Sequence, residues 1–283
     1  MKLLIPSLDR APQLDLLLSS LQENLADYNN LEITVLYQTS SGDFTKGYQK
    51  LQSECPLSVK WVKETNFEQQ VKDFFRFSQY ICLLTDDCIF YRPYEVSIKD
   101  TLDLITDDVL CFSWRLGLNT TTQYYVTGQQ QEHLSRLGYK CFDVDNNPFI
   151  KWNWKIRPQQ RNYGYCFSLD GHIYFGNEIY ELFKDLPFHN PRSLESKMVR
   201  PEMREGLQRK YMVAHRYGHI FVNTINCCQK EKIPAGTIYS YPLEDLNNKY
   251  LNGYRIDLAG FDFDDSVTSG CHGELPLVWK KDG

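Results

Sequence analysis

Glycine is missing where a phosphate-gripping chain most needs it. The loop after the first apolar run reads Ser7-Leu8-Asp9-Arg10-Ala11-Pro12. Without glycine its backbone cannot close around phosphates as the Gly-rich loops of sugar nucleotidyltransferases do, and no G-x-x-x-x-G-K-[ST] occurs to support a kinase or NTPase. A surplus of positive charge is missing too: 31 Lys and Arg stand against 36 Asp and Glu, a net charge of -5. That balance argues against nucleic acid as a partner. It suits an anionic ligand only when a divalent cation lies between ligand and protein. No run approaches the roughly 20 apolar residues of a membrane span, and Met1-Lys2-Leu3-Leu4-Ile5 is cut short by Pro6. The expectation is a cytoplasmic chain with no signal peptide and no transmembrane segment, with peripheral membrane contact left open. Paired C-x-x-C spacing is absent as well. The nine cysteines are an odd number, and Cys82, Cys111 and Cys166 sit inside apolar runs, so free thiols are expected.

What is present is a chain of 283 residues with 42% apolar content, enough for one large α/β unit. Short apolar runs alternate with amphipathic stretches, the pattern of βα units around a mostly parallel sheet flanked by helices. Strands are expected at Lys2–Pro6, Leu31–Tyr37, Leu57–Val62, Tyr80–Leu84 and Val109–Trp114. Helices are expected around Leu14–Leu25, Phe44–Leu51, Phe67–Phe77 and Val96–Ile105. Residues 117–163 are rich in Asn, Gln, Thr and Tyr and read as an irregular insertion containing Trp152-Asn153-Trp154. A strand Tyr165–Tyr174, a helix Asn177–Leu186 and a further helix beginning near Asn190 follow. From Ile220 onward a strand, a helix Pro242–Asn252 and a loose acidic tail complete the pattern.

The strongest local signal is Tyr80-Ile81-Cys82-Leu83-Leu84-Thr85-Asp86-Asp87-Cys88-Ile89-Phe90, an apolar strand that releases two adjacent carboxylates at its end. Ligands collect outside the carboxyl ends of strands in open α/β sheets, so Asp86 and Asp87 are placed to hold Mg²⁺ or Mn²⁺ against a diphosphate. The competing explanation is an ordinary turn, for Asp107-Asp108 repeats the dipeptide without apparent purpose.

Three blocks in this order resemble GT-A glycosyltransferases of the family-2-like kind. Ile5-Pro6-Ser7-Leu8-Asp9-Arg10 is similar to their first-strand opening and Thr85-Asp86-Asp87 to a variant of their DxD motif. Phe167-Ser168-Leu169-Asp170-Gly171-His172-Ile173 with Asn190-Pro191-Arg192-Ser193-Leu194-Glu195 is similar to their acceptor side. The resemblance implies a Rossmann-like sheet in one unit, 1–283, with a nucleotide-sugar half (1–115) and an acceptor half with an irregular region and tail (116–283). It implies transfer of a hexosyl group from a UDP- or GDP-linked sugar to a carbohydrate hydroxyl. Pro6, Ser7, Asp9 and Arg10 would border the nucleotide, Asp87 would bind the Mn²⁺ or Mg²⁺ directly, and Asp86 would contact the ribose or the metal's water shell. Thr39 and Ser40 stand where relatives often carry an acid for the base, and Lys72 could face the nucleotide, although a solvated helix face explains it too. Glu195, with Asp170 as the alternative, would be the general base of an inverting reaction, and His272 a further metal ligand. Against Glu195 stands capping, since Ser193 followed by an acid is common at a helix start.

Two other readings belong beside this one. His215 and His219, four apart, would share one face of a helix and could mimic a zinc pair, but no H-E-x-x-H accompanies them. A degenerate transferase fold could also bind sugar without turnover, with Trp152 and Trp154 as stacking platforms. His172, flanked by apolar residues, reads as a core histidine.

Overall fold

The computed structural model describes residues 1–122, 138–144, 146–158, 162–225, 238–239 and 241–282. Its centre is a nine-stranded sheet in the order β3-β2-β1-β4-β9-β6-β10-β8-β7. The strands are β1 (Lys2–Leu8), β2 (Glu32–Gln38), β3 (Val59–Lys63), β4 (Tyr80–Leu83), β6 (Val109–Ser113), β7 (Lys140–Val144), β8 (Asn147–Asn153), β9 (His172–Phe175) and β10 (Tyr211–His215). β5 (Cys88–Phe90), β11 (Ile220–Asn223) and β13 (His272–Gly273) form a smaller sheet; β12 (Tyr254–Ile256) pairs with β14 (Trp279–Lys281). In the large sheet β1 to β4 run parallel, and β6 runs parallel to β10. β9 is antiparallel to both β4 and β6, and β8 to both β10 and β7. Only β8 and β9 therefore oppose the common direction, and the expected mostly parallel sheet flanked by helices is present.

The apolar alternation of β1 explains how both faces are filled. Leu3 and Ile5 face one core with Leu14, Leu17, Leu18 and Leu21 of α1 (Ala11–Asn24), while Leu4 faces the other with Phe67, Val71 and Phe75 of α3 (Phe67–Arg76). Period 2 in a strand meets period 3.6 in a helix, and each fully buried leucine contributes about 1.5–3 kcal/mol. α1 opens with Pro12 in its first turn, where no backbone N–H is needed. α2 (Gly42–Glu54) is capped by Ser41 and α3 by Asn66, each side chain accepting from a first-turn N–H.

Several expectations need correction. The stretch read as an irregular insertion contributes β7 and β8 to the sheet, and Trp152 and Trp154 are buried, at 1% and 0% exposure. Their indole N–H groups donate to the carbonyls of Tyr163 and Arg209, so neither offers a face to sugar. Polar, aperiodic composition concealed these strands because much of β7 faces solvent. The strand expected from Tyr165 begins only at His172. The segment before it is held by side-chain bonds, such as Ser168 N–H to Tyr174 Oη at 2.8 Å, rather than by a ladder. β10 escaped notice altogether, and the acidic tail is structured, with β12, β13 and β14. All seven cysteines within the described residues are free. Cys227, Cys228 and residues 123–137 of the expected insertion lie outside them.

Candidate functional site

Topology gathers the site at one edge of the sheet. β1, β4 and β6 are co-directional, so their carboxyl ends deliver Asp9 and Arg10, Thr85 to Asp87, and Arg115 to the same edge. β9 runs the opposite way between β4 and β6, so its start, preceded by Asp170, lies at that edge too. A reversed strand thus adds its entry residue to the place where ligands collect in α/β sheets.

Asp86 is almost completely enclosed. Its Oδ2 accepts from Ser7 Oγ at 2.7 Å and its Oδ1 from Arg10 Nη1 at 2.7 Å. Burial, countered by Arg10 and reinforced by the charge of Asp87, raises its carboxyl from 3.8 to about 6. Ser7 also shares a 2.6 Å hydrogen bond with Tyr48 Oη, which accepts from the Arg10 backbone N–H at 3.3 Å. Of the residues expected around a nucleotide, Ser7 and Arg10 therefore hold Asp86, and Pro6 is buried within β1. Asp9, at φ 57, ties the exits of β1 and β2 together, its Oδ1 accepting from Ser40 N–H at 2.8 Å. Thr39 bonds Thr45 at 2.9 Å. Lys72 pairs with Glu68 at 2.7 Å and lies 5.6 Å from the Phe188 ring centre, held to its own helix and to that ring.

Asp87 is different. Its Oδ2 lies 3.2 Å from Arg10 Nη1, but its Oδ1 is buried and meets no hydrogen-bond partner among the described residues. A buried carboxylate oxygen without a donor is costly, and it faces a cleft lined by Asn223, Ile225 and Leu277, among others. The cleft's volume of about 10 Å³ is that of one water-sized sphere. The orphaned oxygen fits one bond to a divalent cation whose other ligands come from phosphate and water. Asp86, with both oxygens occupied, fits that role less well. Among the described residues no three His, Cys, Asp or Glu side chains form a metal site by themselves.

A second cluster adjoins this turn through Thr85. Its hydroxyl donates to Asp170 Oδ1 at 2.8 Å, and Asp170 Oδ2 lies 3.1 Å from His272 Nε2 and 3.5 Å from Arg115 Nη1. Burial works against the charge of Asp170, but His272, Arg115 and Thr85 together hold its carboxyl well below the usual range. Burial likewise opposes a charge on His272, and the negative charge of a Cys271 thiolate and the bond to Asp170 overcome it, pushing the imidazole up to about 9. Arg115 Nη1 also stands 3.1 Å from His272 Nε2. A guanidinium cannot accept, so Nε2 either donates to Asp170 or accepts from Arg115. His272 reaches this place because β13 pairs with β11 and β11 with β5, setting His272, Val222 and Cys88 side by side.

Glu195 completes the cluster from the helix Pro191–Met198. That helix is capped by Asn190, whose side chain accepts from Ser193 N–H at 2.7 Å while Ser193 Oγ accepts from Asn190 N–H at 3.0 Å. Capping is thus complete without Glu195, whose carboxylate instead accepts from Leu169 N–H at 3.3 Å beside Asp170. Burial first, and then the charge of Asp170, push Glu195 from 4.5 up to about 7, against the pull of Arg115. Two carboxyls that feel each other's charge are driven in opposite directions, the pattern that separates a proton acceptor from a permanent anion.

Arg115 is the member of this cluster that sequence reasoning missed. It is 3% exposed, and its Nε and Nη2 meet no hydrogen-bond partner among the described residues. The signal was available, since a strand as apolar as Val109–Ser113 that ends two residues before an arginine places charge at an edge just as Asp86 and Asp87 do. The remaining described histidines stay outside the cluster. His172 is wholly buried with Nδ1 3.0 Å from Tyr174 Oη, as a core histidine. His215 and His219 do meet, at 3.0 Å, but from the end of β10 and the residue before β11 rather than along one helix. His219 Nδ1 bonds the Arg92 carbonyl.

No protein-family model and no curated protein sequence matches the chain. Among solved structures it is similar to S. aureus TarS 1-349 in complex with UDP-GlcNAc, at 13% identity and a TM-score of 0.46 over 84% of this chain and 61% of that one. Only 34% of a longer TarS chain is covered. It is also similar to the mannosyltransferase PcManGT from Pyrobaculum calidifontis in complex with GDP-Man and Mn²⁺, at 18% identity and 0.30 over 42% and 35%. Mouse xyloside xylosyltransferase 1 matches at 11% identity and 0.33 over 72% and 74%. At these scores the sheet order and the site residues themselves have to bear the functional reading.

Proposed function

We propose that the chain transfers a sugar from a nucleotide-sugar to an acceptor hydroxyl, with inversion, using Glu195 as general base and Asp87 as the carboxylate that meets the donor's diphosphate through a divalent cation. The observation that carries this is the pairing of an orphaned Asp87 oxygen with a neighbouring carboxyl cluster in which Glu195 titrates at about 7 and Asp170 stays charged. Mn²⁺ or Mg²⁺ held by Asp87 supplies neutralisation of the charge that builds on a departing diphosphate.

The chain's own groups do the rest. Glu195 takes the proton of the acceptor hydroxyl as that oxygen bonds to the anomeric carbon, while the bond from that carbon to the phosphate oxygen breaks and the electron pair leaves with the nucleoside diphosphate. Asp170, bound by Thr85 and His272, is too well stabilised as an anion to be the base. Its charge keeps Glu195 basic enough to work near neutral pH. Arg115, whose Nε and Nη2 meet no partner among the described residues, suits the negative charge of the leaving group. Arg10 fixes Asp86 and Asp87 in register. A nucleotide is far larger than the present cleft, so donor binding requires Leu277 and Ile225 to move aside.

A thermal-shift series of UDP- and GDP-sugars with and without Mn²⁺ tests the donor half, since a ligand at 100 times its Kd stabilises by about 2.7 kcal/mol. Product stereochemistry by NMR tests inversion. Absence of stabilisation by any nucleotide-sugar in Mn²⁺ would falsify the donor assignment.

A further inference from the structure

We infer that residues 275–282 form an autoinhibitory strap, which closes the cleft beside Asp87 with Leu277 and has to lift as a unit before a nucleoside diphosphate can reach that carboxylate. This deepens the transferase reading above and rests on it.

Among the described residues that line this cleft, all but Asp87 itself and Leu277 are buried. Every residue from 275 to 282 is half-buried or exposed, so the segment runs along the outside and Leu277 is its contribution to the wall. With that leucine in place the space is about 10 Å³, room for one water and not for two phosphates. Hydrogen bonds bracket Leu277. Before it, the Asn223 side chain takes both backbone groups of Leu275, whose N–H donates to Oδ1 at 2.8 Å while Nδ2 donates to its carbonyl at 3.1 Å. After it, the Val278 carbonyl accepts from Asp257 N–H at 2.8 Å, and β14 is paired with β12. The Leu277 backbone therefore moves only with its neighbours. Asn223 also ties the segment to the acidic turn, since its N–H donates to the Asp87 carbonyl at 2.9 Å.

The attachments are of a kind that can yield. Leu277 and Trp279 pack with Leu16, Ile89 and Ile256 in a small apolar cluster apart from the two main cores, so lifting the strap breaches neither core. The far end is held by charge. Arg255 Nε meets Asp282 Oδ1 at 2.8 Å, and its Nη1 and Nη2 meet Asp15 and Glu54, each at 2.7 Å. Lys50 Nζ stands 3.7 Å from Asp282 Oδ2. Asp282 is exposed, and ion pairs at an exposed carboxylate contribute little. Asp15 belongs to α1, the helix that also gives Leu16 to the cleft, so latch and cleft share one rigid element. A chain that is closed most of the time shows a ligand affinity reduced in proportion to its open fraction, so loosening the latch tightens apparent binding.

The test is titration calorimetry of the full chain with UDP and with GDP, each in the presence of Mn²⁺. Asp282→Asn weakens the latch and Leu277→Ala shrinks the wall, and the two combined should tighten nucleoside diphosphate binding about ten-fold. Tyr254 and Lys281 are partners across β12 and β14, a placement that suits a disulfide. Tyr254→Cys combined with Lys281→Cys, oxidised in parallel with the wild type as reference, should bind about ten-fold more weakly than that reference and recover on reduction with dithiothreitol. Binding by the oxidised variant equal to the oxidised wild type overturns the strap, and so does unaltered binding by the loosened variant; either result leaves the donor assignment standing. Failure of every form, the loosened one included, to bind UDP or GDP with Mn²⁺ overturns the donor assignment together with the strap.

Discussion

The pH dependence of transfer depends on how far its environment displaces Glu195. An ordinary glutamate at 4.5 would be fully ionised throughout the neutral range, and the rate would be flat there. In this chain burial and the charge of Asp170 push the carboxyl up to about 7. A base works only when deprotonated, so kcat should rise with pH, reach half its plateau near 7, and stand at about a tenth of the plateau one unit below. The two carboxyls interact, so the midpoint belongs to the pair. Asp170→Asn removes one of the causes of the shift and should move the midpoint to lower pH. Arg115→Met removes a charge that lowers the shift and should move it higher. The measurement is the initial rate of nucleoside diphosphate release with acceptor present, from pH 5 to 9 at constant ionic strength and saturating donor. Glu195→Gln should reduce transfer about 10²–10⁴-fold while donor affinity is retained. A midpoint at or below 5, or full turnover by Glu195→Gln, would refute the assignment of the base.

Other outcomes follow from the same geometry. Asp86→Ala strips a buried partner from Arg10 and should cost about 3–5 kcal/mol of stability. Asp87→Ala should cost only about 1–2 kcal/mol and instead abolish Mn²⁺-dependent stabilisation by donor; equal destabilisation in denaturant titrations would contradict this division of roles. Trp152→Ala should lose about 3–5 kcal/mol through cavity formation with no change in sugar affinity per folded molecule, as calorimetry can check. In the absence of metal, the melting temperature should fall as pH rises from about 7 to 9. The sign follows from raised folded values: Asp86 and Asp15, both at about 6, contribute stability below 3.8 that is lost as pH rises through 6. His272 contributes below 6.5 and loses it as pH rises through about 9. Asp170, held low, acts oppositely in strong acid, and His172 and His219, whose burial holds them below 6.5, act oppositely as pH rises towards 6.5, offsetting the two carboxyls there. A His272→Gln variant whose melting profile keeps the alkaline limb would show that another group is responsible.

The first half of the sheet was legible because its strands are buried on both faces and its helices amphipathic, so periodicity reports structure directly. Lys2–Leu8 and Phe67–Arg76 lie within a few residues of their expected limits. β7 and β10 were not legible. β7 is largely solvent-facing, and β10 lies between polar segments whose composition hides five residues of ladder. Asp86, Asp87, Asp170 and Glu195 were each visible as acids at strand or helix ends. What sequence could not supply was their sorting: that Ser7 and Arg10 enclose Asp86, that Asn190 makes capping by Glu195 unnecessary, and that Thr85 links the two acidic groups. These are contacts across 76 to 85 positions of chain for the pairs involving Asp86 and Asp170, beyond any local pattern.

The small sheet β13-β11-β5 has a bearing on synthesis. Cys88 beside the acidic turn, Val222 and His272 are neighbours in it, and nearby Arg255 clasps Asp15 at 2.7 Å, pinning late residues onto the first helix. During translation the strands of the first hundred residues can assemble early, whereas the cluster around Asp170 gains its histidine only when position 272 has left the ribosome. Nascent chains would therefore carry a formed Asp86–Asp87 edge and an unfinished Asp170 cluster, and any activity that needs both should switch on abruptly once position 272 has emerged rather than grow with length.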